Sequence, residues 1–291
     1  MLKNKFISYT ILLLVYAISF GVGFLVFYAL DDMNLLLRFL IMDVITTVVI
    51  FVFSWIFNNS SIYDPYWSFL PQVMVVVLAL DGSSFHWTSY IMIALVELWG
   101  LRLTINCLIR FKNLKSQDWR YSLFQEKYPK LWPLINLFGI HLFPTLIVYL
   151  LMLPTVAYFD AVNNITATNN FNLSSVLAII IAIVGILFEL ISDIQSNYYR
   201  KKFPGKILDK GLWKVSRHPN YFGEIIFWFG VFLLMLSIKD THWVLVLGPI
   251  ANLLMFSFIS IPMMENRLVN KYPEYTDYAK KTNVLLPIKK K

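Results

Sequence analysis

The sequence predicts an all-α polytopic membrane protein: a bundle of about seven to eight transmembrane helices with cytoplasmic loops and a C-terminal amphipathic tail. Three observations predict it. Of 291 residues, 58% are hydrophobic and only 14% are charged, too few to cover the surface of a soluble domain this long. Mean hydropathy is +0.63. Several apolar runs reach the roughly 20 residues that span a bilayer, and they are continuous rather than alternating, which excludes a β-barrel.

The apolar segments fall at about 6–30, 35–57, 67–80, 86–109, 132–158, 174–197, 221–238 and 243–263. The first has a Lys-bearing start and no small-residue cleavage site, so it reads as a retained helix. The third is the shortest. No internal repeat or long linker divides the chain, so residues 1–291 are expected to form a single integral membrane domain. Cys107 is the single cysteine, which excludes a disulfide framework and a Cys-rich metal site. The four His are far apart, and no HExxH motif is present; no metal is expected.

The net charge of +8 is unevenly placed. Lys and Arg concentrate before segment one, after segments four and six, and in the tail, while the alternate connections are acidic or neutral. This is the pattern of the positive-inside rule. With eight segments it puts both termini and the loops at 110–131 and 198–220 in the cytoplasm. The charge therefore reports topology and not a nucleic-acid partner; the expected partner is the lipid bilayer. The expected location is multi-pass, in the endoplasmic reticulum of a eukaryote or the inner membrane of a bacterium. The loop at 159–173 carries glycosylation sequons at Asn164 and Asn172.

Charged groups at membrane depth cost at least ~2.5–3.5 kcal/mol each. Here they are Asp43, Glu97, Arg102, Glu189, Asp193 and Glu224. Arg102, Asn106 and Arg110 stand four apart, as do Glu189, Asp193 and Asn197, and again Asn220 and Glu224. Each set shares a helix face. Three polar faces suggest one polar cavity open to the cytoplasm. The competing account is a buried ion pair that fixes helix register, for which Glu97 or Glu189 with Arg102 would suffice. No P-loop, G-x-S-x-G elbow or G-x-G-x-x-G is present, so any nucleotide is not held on a Rossmann fold.

"SRHPNYFGE", at 216–224, resembles the C-terminal signature of the steroid 5-alpha-reductase superfamily, closest to a branch of membrane reductases built on an uncharacterised domain. The resemblance extends over most of the chain. It takes in "SIYDPYW", "ELWGLRLTINCLIR", "QDWRY", "FELISDIQ" and "PMMENRLVNKYPEYTDYAKKTNVLLP". It implies an NADPH-dependent reductase of an activated carbon–carbon double bond in a lipid-like, steroid- or enone-type small molecule, with residues 110–291 as the cofactor-binding region. The cofactor-binding residues it implies are Arg102, Asn106, Arg120, Asp193, Arg217, His218, Asn220, Tyr221, Glu224, Glu265, Arg267 and Tyr278. Arg217 and its fellow guanidinium groups suit a pyrophosphate and a 2′-phosphate. Tyr221 and Tyr63 are the catalytic candidates, as hydrogen-bond donors to the carbonyl oxygen that gains charge. The Gln-Glu motif with which the steroid enzymes hold the enone is not evident. Membrane methyltransferases that bind S-adenosylmethionine share the Arg-His-Pro-x-Tyr-x-Gly string and are the alternative enzyme class. A non-enzymatic scaffold or transporter is the third.

Overall fold

Asparagines open three of the long helices. In the computed structural model, which describes residues 2–81, 86–163, 172–238 and 242–290, Asn4 caps α1 (Lys5–Ala29) by accepting from Ile7 N. Asn34 caps α2 (Leu35–Phe57) through Leu36 N. Each side chain satisfies one of the amide donors that a helix start leaves open. α2 ends on Asn58 in the left-handed region, with φ 49°. α3 (Tyr66–Asp81), α4 (Trp87–Arg110), α5 (Trp119–Lys127) and α6 (Trp132–Asn163) follow. Then come α7 (Leu173–Lys202), α8 (Pro219–Leu236), α9 (Trp243–Lys271) and α10 (Tyr275–Lys281). α6 contains a π-helical stretch at Ile135–Leu142, and α9 another at Phe256–Ser260. Asn172 opens α7, where its Oδ1 accepts from Ser175 N at 2.9 Å. That sequon asparagine is thus a helix cap; Asn164 lies outside the described residues.

Seven of the expected apolar segments are long and apolar enough among the described residues to cross a membrane. α3 is not one of them: its 16 residues span about 24 Å, short of a hydrocarbon core of ~30 Å. Isolated bridges supply the β-type pairing among the described residues, so the fold is all-α.

The chain divides into two compact units, Met1–Asp81 with Val96–Val156, and Gly82–Leu95 with Ala157–Lys291. In the first unit α1 and α2 lie side by side, and Phe27, Phe39, Met42, Ile50 and Trp99 are buried in its interior. In the second, α7 and α8 form the most intimate helix pair. Ala178, Ala182 and Gly185 on α7 are buried, as are Gly223, Phe227 and Gly230 on α8. A Cβ on Gly185 would stand 2.7 Å from Gly223 O, and one on Gly230 would stand 2.6 Å from Ala182 N. The absent side chains let the two backbones touch, the usual way helices associate where lipid removes the hydrophobic drive.

Candidate functional site

The second unit holds the string 211–224. Gly211 takes φ +61° and turns the chain into a short 3₁₀ segment, Gly211–Lys214. This loop is tied on one side to α7: Leu212 N donates to Gln195 Oε1 at 3.0 Å, and Trp213 Nε1 to Ser192 O at 3.2 Å. On the other side it is tied to the tail. Arg217 N donates to Asn283 O at 2.8 Å and His218 N to Val284 O at 3.2 Å. Ser216 Oγ donates to Leu285 O at 2.7 Å, and the Tyr278 hydroxyl donates to Trp213 O. A loop outside any helix must find partners for its amides, and here the tail supplies them. Pro219 then starts α8, where its missing N–H costs nothing.

Glu265 of α9 reaches this loop. Its Oε1 lies 3.1 Å from Arg217 Nε and 3.2 Å from His218 Nε2, so one carboxylate holds both side chains. The His218 ring stacks on Tyr221, with centroids 5.3 Å apart and planes 4° apart. Tyr221 stacks in turn on Phe256, at 4.4 Å and 15°. Phe256 opens the π stretch of α9, a geometry often found at functional positions. Both faces of Tyr221 are covered, so its ring is a spacer in the stack and its hydroxyl is the part that can act chemically. Tyr278 is shifted above its ordinary pKa, first by burial and then by the nearby Tyr275.

Glu224 is buried and its Oε1 accepts from Trp228 Nε1 at 2.8 Å, one helical turn on. Asn220 precedes it by a turn and is half-buried. On α7, Glu189 and Asp193 are buried, and Glu189 passes directly over Gly223: a Cβ there would meet Glu189 Cγ at 2.6 Å. Arg267, on α9, is half-buried. Of the residues singled out from the sequence, Asp193, Arg217, His218, Asn220, Tyr221, Glu224, Glu265, Arg267 and Tyr278 belong to this unit. The structure brings Arg217, His218, Tyr221 and Glu265 into one cluster. Arg102, Asn106, Arg120 and Tyr63 belong to the first unit.

The first unit has a polar centre of its own. Asp43 is fully buried; Tyr66 donates to its Oδ1 at 2.8 Å, and its Oδ2 has no hydrogen-bond partner. Nearby, the Thr145 hydroxyl donates to His141 O at 2.9 Å and lies 2.8 Å from both Thr47 Oγ1 and the Tyr63 hydroxyl. Thr145 has one proton, committed to a carbonyl, so Thr47 and Tyr63 must donate to it. His141 Nδ1 faces Asn136 O at 2.8 Å and therefore carries the proton, which leaves Nε2 to accept from Ser54 Oγ at 3.1 Å. The Tyr63 ring lies 4.9 Å from His141 and 5.5 Å from Tyr66.

The loop before α3 closes this unit. Tyr121 donates to Asp64 Oδ1 at 2.6 Å, Arg120 Nε bonds Asp118 Oδ1 at 2.8 Å, and Asp118 N donates to Ser61 Oγ at 2.8 Å. Burial pushes the Asp64 carboxyl up to about 6, against the opposing pull of Arg120 and Tyr121. The folded chain thus holds this proton more tightly than the unfolded chain does. Stability from this group is complete below about pH 4 and is lost as the pH rises through about 6. The expected result is that Asp64→Asn gains on the wild type in unfolding free energy from pH 4.5 to 7, by about 2 kcal/mol. A constant difference across that range would refute the assignment.

A family model described as "Protein of unknown function (DUF1295)" matches residues 50–282. The chain belongs to the DUF1295 family. An uncharacterized protein of Schizosaccharomyces pombe is 26% identical over 286 residues, covering 87% of this chain and 78% of that protein. No solved structure matches. The DUF1295 match takes in the Arg217–Glu265 cluster and the Tyr66–Thr145 centre, while Asp43 and the tail residues Asn283–Leu285 lie outside it. In this DUF1295 chain Thr47, Thr145 and Phe256 stand inside apolar runs, where aromatic and hydroxyl groups give no periodic signal, and Tyr66 stands in the string "SIYDPYW" without a role being assigned to it.

Proposed function

We propose that this DUF1295 protein is an NADPH-dependent membrane reductase of a carbon–carbon double bond in a lipid-like, enone- or steroid-type substrate. The observation that carries the reading is Asp43. Ionised, it would need more than one hydrogen bond from Tyr66 to offset its desolvation. With its proton, Oδ2–H is a buried donor that has no acceptor among the described residues, and it would serve a substrate carbonyl that reached it. Reduction of an enone needs such an acid, whereas methyl transfer to a lipid does not. Tyr66 fixes the carboxyl through Oδ1, so the donor atom is defined.

The donor set of the second unit fits a polyanionic dinucleotide. With Arg217 Nε against Glu265, the Nη atoms are the donors for a phosphate. Asn220 and Glu224 share one helix face and would meet ribose or carboxamide groups; Tyr278 holds the loop backbone. NADPH held by Arg217, Asn220 and Glu224 would supply the hydride for the carbon β to a carbonyl, and an acid's proton on the carbonyl oxygen would give an enol that tautomerises to the saturated ketone. The resemblance of "SRHPNYFGE" to the steroid 5-alpha-reductases supports the same reading. We place the basic loops on the cytoplasmic side, where that cofactor is available.

The test is cofactor binding to detergent-purified protein by fluorescence. NADPH should bind at least tenfold tighter than NADH, because the Arg217 Nη donors would take the extra phosphate. Binding of S-adenosylmethionine without NADPH would sink the reductase reading in favour of a methyltransferase.

A further inference from the structure

The tail folds into a closed turn after α10. Thr282 pairs antiparallel with Lys289, Asn283 Nδ2 donates to Ile288 O at 2.7 Å, and Ile288 N donates to Leu286 O at 2.9 Å. Within the turn, Leu285 packs against the cluster of Ile225, Phe256 and Ile261. Its neighbours do the opposite: Val284 is 39% exposed, Leu286 58% and Ile288 60%. Exposed apolar side chains on a membrane span face acyl chains and need no other partner. These three lie beyond Lys271, where the span formed by α9 ends. α10 adds seven residues, about 10 Å, so the turn stays close to the membrane surface from which α9 emerges. A turn closed by its own hydrogen bonds, yet tipped with branched apolar side chains, is a surface built to be covered.

The charge around the tip says by what. Lys281, Lys289 and Lys290 are exposed. Lys214 is exposed beside them, and its carbonyl accepts from Thr282 Oγ1 at 3.3 Å. The acids of the segment are Glu274, at the far end of α10, and Asp277, which Lys280 holds at 3.2 Å. An apolar tip ringed by lysines fits acyl chains beneath anionic headgroups. A second copy docked patch to patch would set lysine against lysine. We propose that the turn 282–290 docks on the anionic surface of the protein's own membrane and thereby holds the 213–218 loop closed. Val284, Leu286 and Ile288 enter among the headgroups, and the lysines meet their phosphates. The coupling runs through backbone: Asn283 O and Val284 O accept from Arg217 N and His218 N, so these amides are released only when the turn lifts. Anionic lipid thus secures the two side chains that Glu265 gathers. The docking requires neither NADPH nor Asp43, and it would stand if the reductase reading failed.

The experiment places the full-length protein in nanodiscs of phosphatidylcholine, alone or mixed with phosphatidylglycerol in equal parts, and follows amide exchange. Near an anionic surface each lysine contributes about fivefold, so Arg217 and His218 should exchange at least tenfold more slowly in the mixed discs. High salt should remove the difference. The Leu212 amide, held by Gln195 on α7, should exchange alike in both lipids. Lys281→Gln, Lys289→Gln and Lys290→Gln together should abolish the lipid effect, and Leu286→Ser with Ile288→Ser should weaken it, with melting temperature unchanged because these side chains are exposed. Equal exchange of Arg217 and His218 in the two lipids would overturn the proposal. So would a lipid effect that survives the lysine substitutions, or one shared by Leu212. A fluorophore on Leu286→Cys in a Cys107→Ser background supplies the second reading: its emission should shift to the blue in the mixed discs and be quenched by a lipid-borne quencher. The same shift in both lipids, with crosslinking between two copies through residue 286, would show that a second copy covers the tip and would also overturn it.

Discussion

Asp43→Asn is expected to lower turnover of an enone lipid by a hundredfold or more, the usual scale of a lost general acid, while NADPH affinity and melting temperature stay close to wild type. The substitution keeps the shape, and the new amide still donates a hydrogen bond to a carbonyl, so substrate affinity should survive. What it removes is a transferable proton. Tyr66→Phe makes the complementary test: the carboxyl keeps its proton but loses its orientation at 2.8 Å, so the loss should be smaller, about tenfold. Single-turnover oxidation of NADPH with and without a 3-oxo-4-ene lipid is the measurement. If Asp43 is only a structural group, the opposite pattern appears: Asp43→Asn melts lower and turns over normally.

Gly185→Leu is expected to yield no folded protein in detergent. The new Cβ would lie 2.7 Å from both Gly223 O and Phe227 N, and backbone on the facing helix cannot turn aside as a side chain can. α7 and α8 would have to part, at a cost of about 3 kcal/mol or more. Gly21→Ala is the control: nothing lies within 4 Å of its added Cβ, and it should melt within a few degrees of the wild type. A folded, normally melting Gly185→Leu would mean that the α7–α8 pair is looser than its geometry implies.

The spans were legible because bilayer thickness imposes a length on apolar runs, and α3 differs because it is too short to meet that length. Glu224 was legible as a costly charge, but its acceptor role toward Trp228 was not. Both stand at helical spacing, yet an indole in an apolar run looks like core. Asp43 was equally visible, whereas its partner Tyr66 is 23 residues away, on another helix, beyond the reach of i, i+4 reasoning. Arg217, His218 and Glu265 could be named separately from the family-like strings; their meeting at one carboxylate oxygen depends on how α9 approaches the loop. The tail's grip on residues 213–218 runs largely through backbone atoms, which every residue has and no sequence pattern marks.

That grip sets an order of events during synthesis. Ser216 waits for Leu285, 69 residues later, an interval of about 3–14 s at ordinary ribosomal speed. Throughout it, α8 and α9 must enter the membrane while the loop between α7 and α8 has its α7 contacts but lacks those of the tail. A chain stalled or truncated within that window would present an incomplete loop, with Arg217 and His218 unsecured by the tail, to proteases and chaperones at the membrane surface.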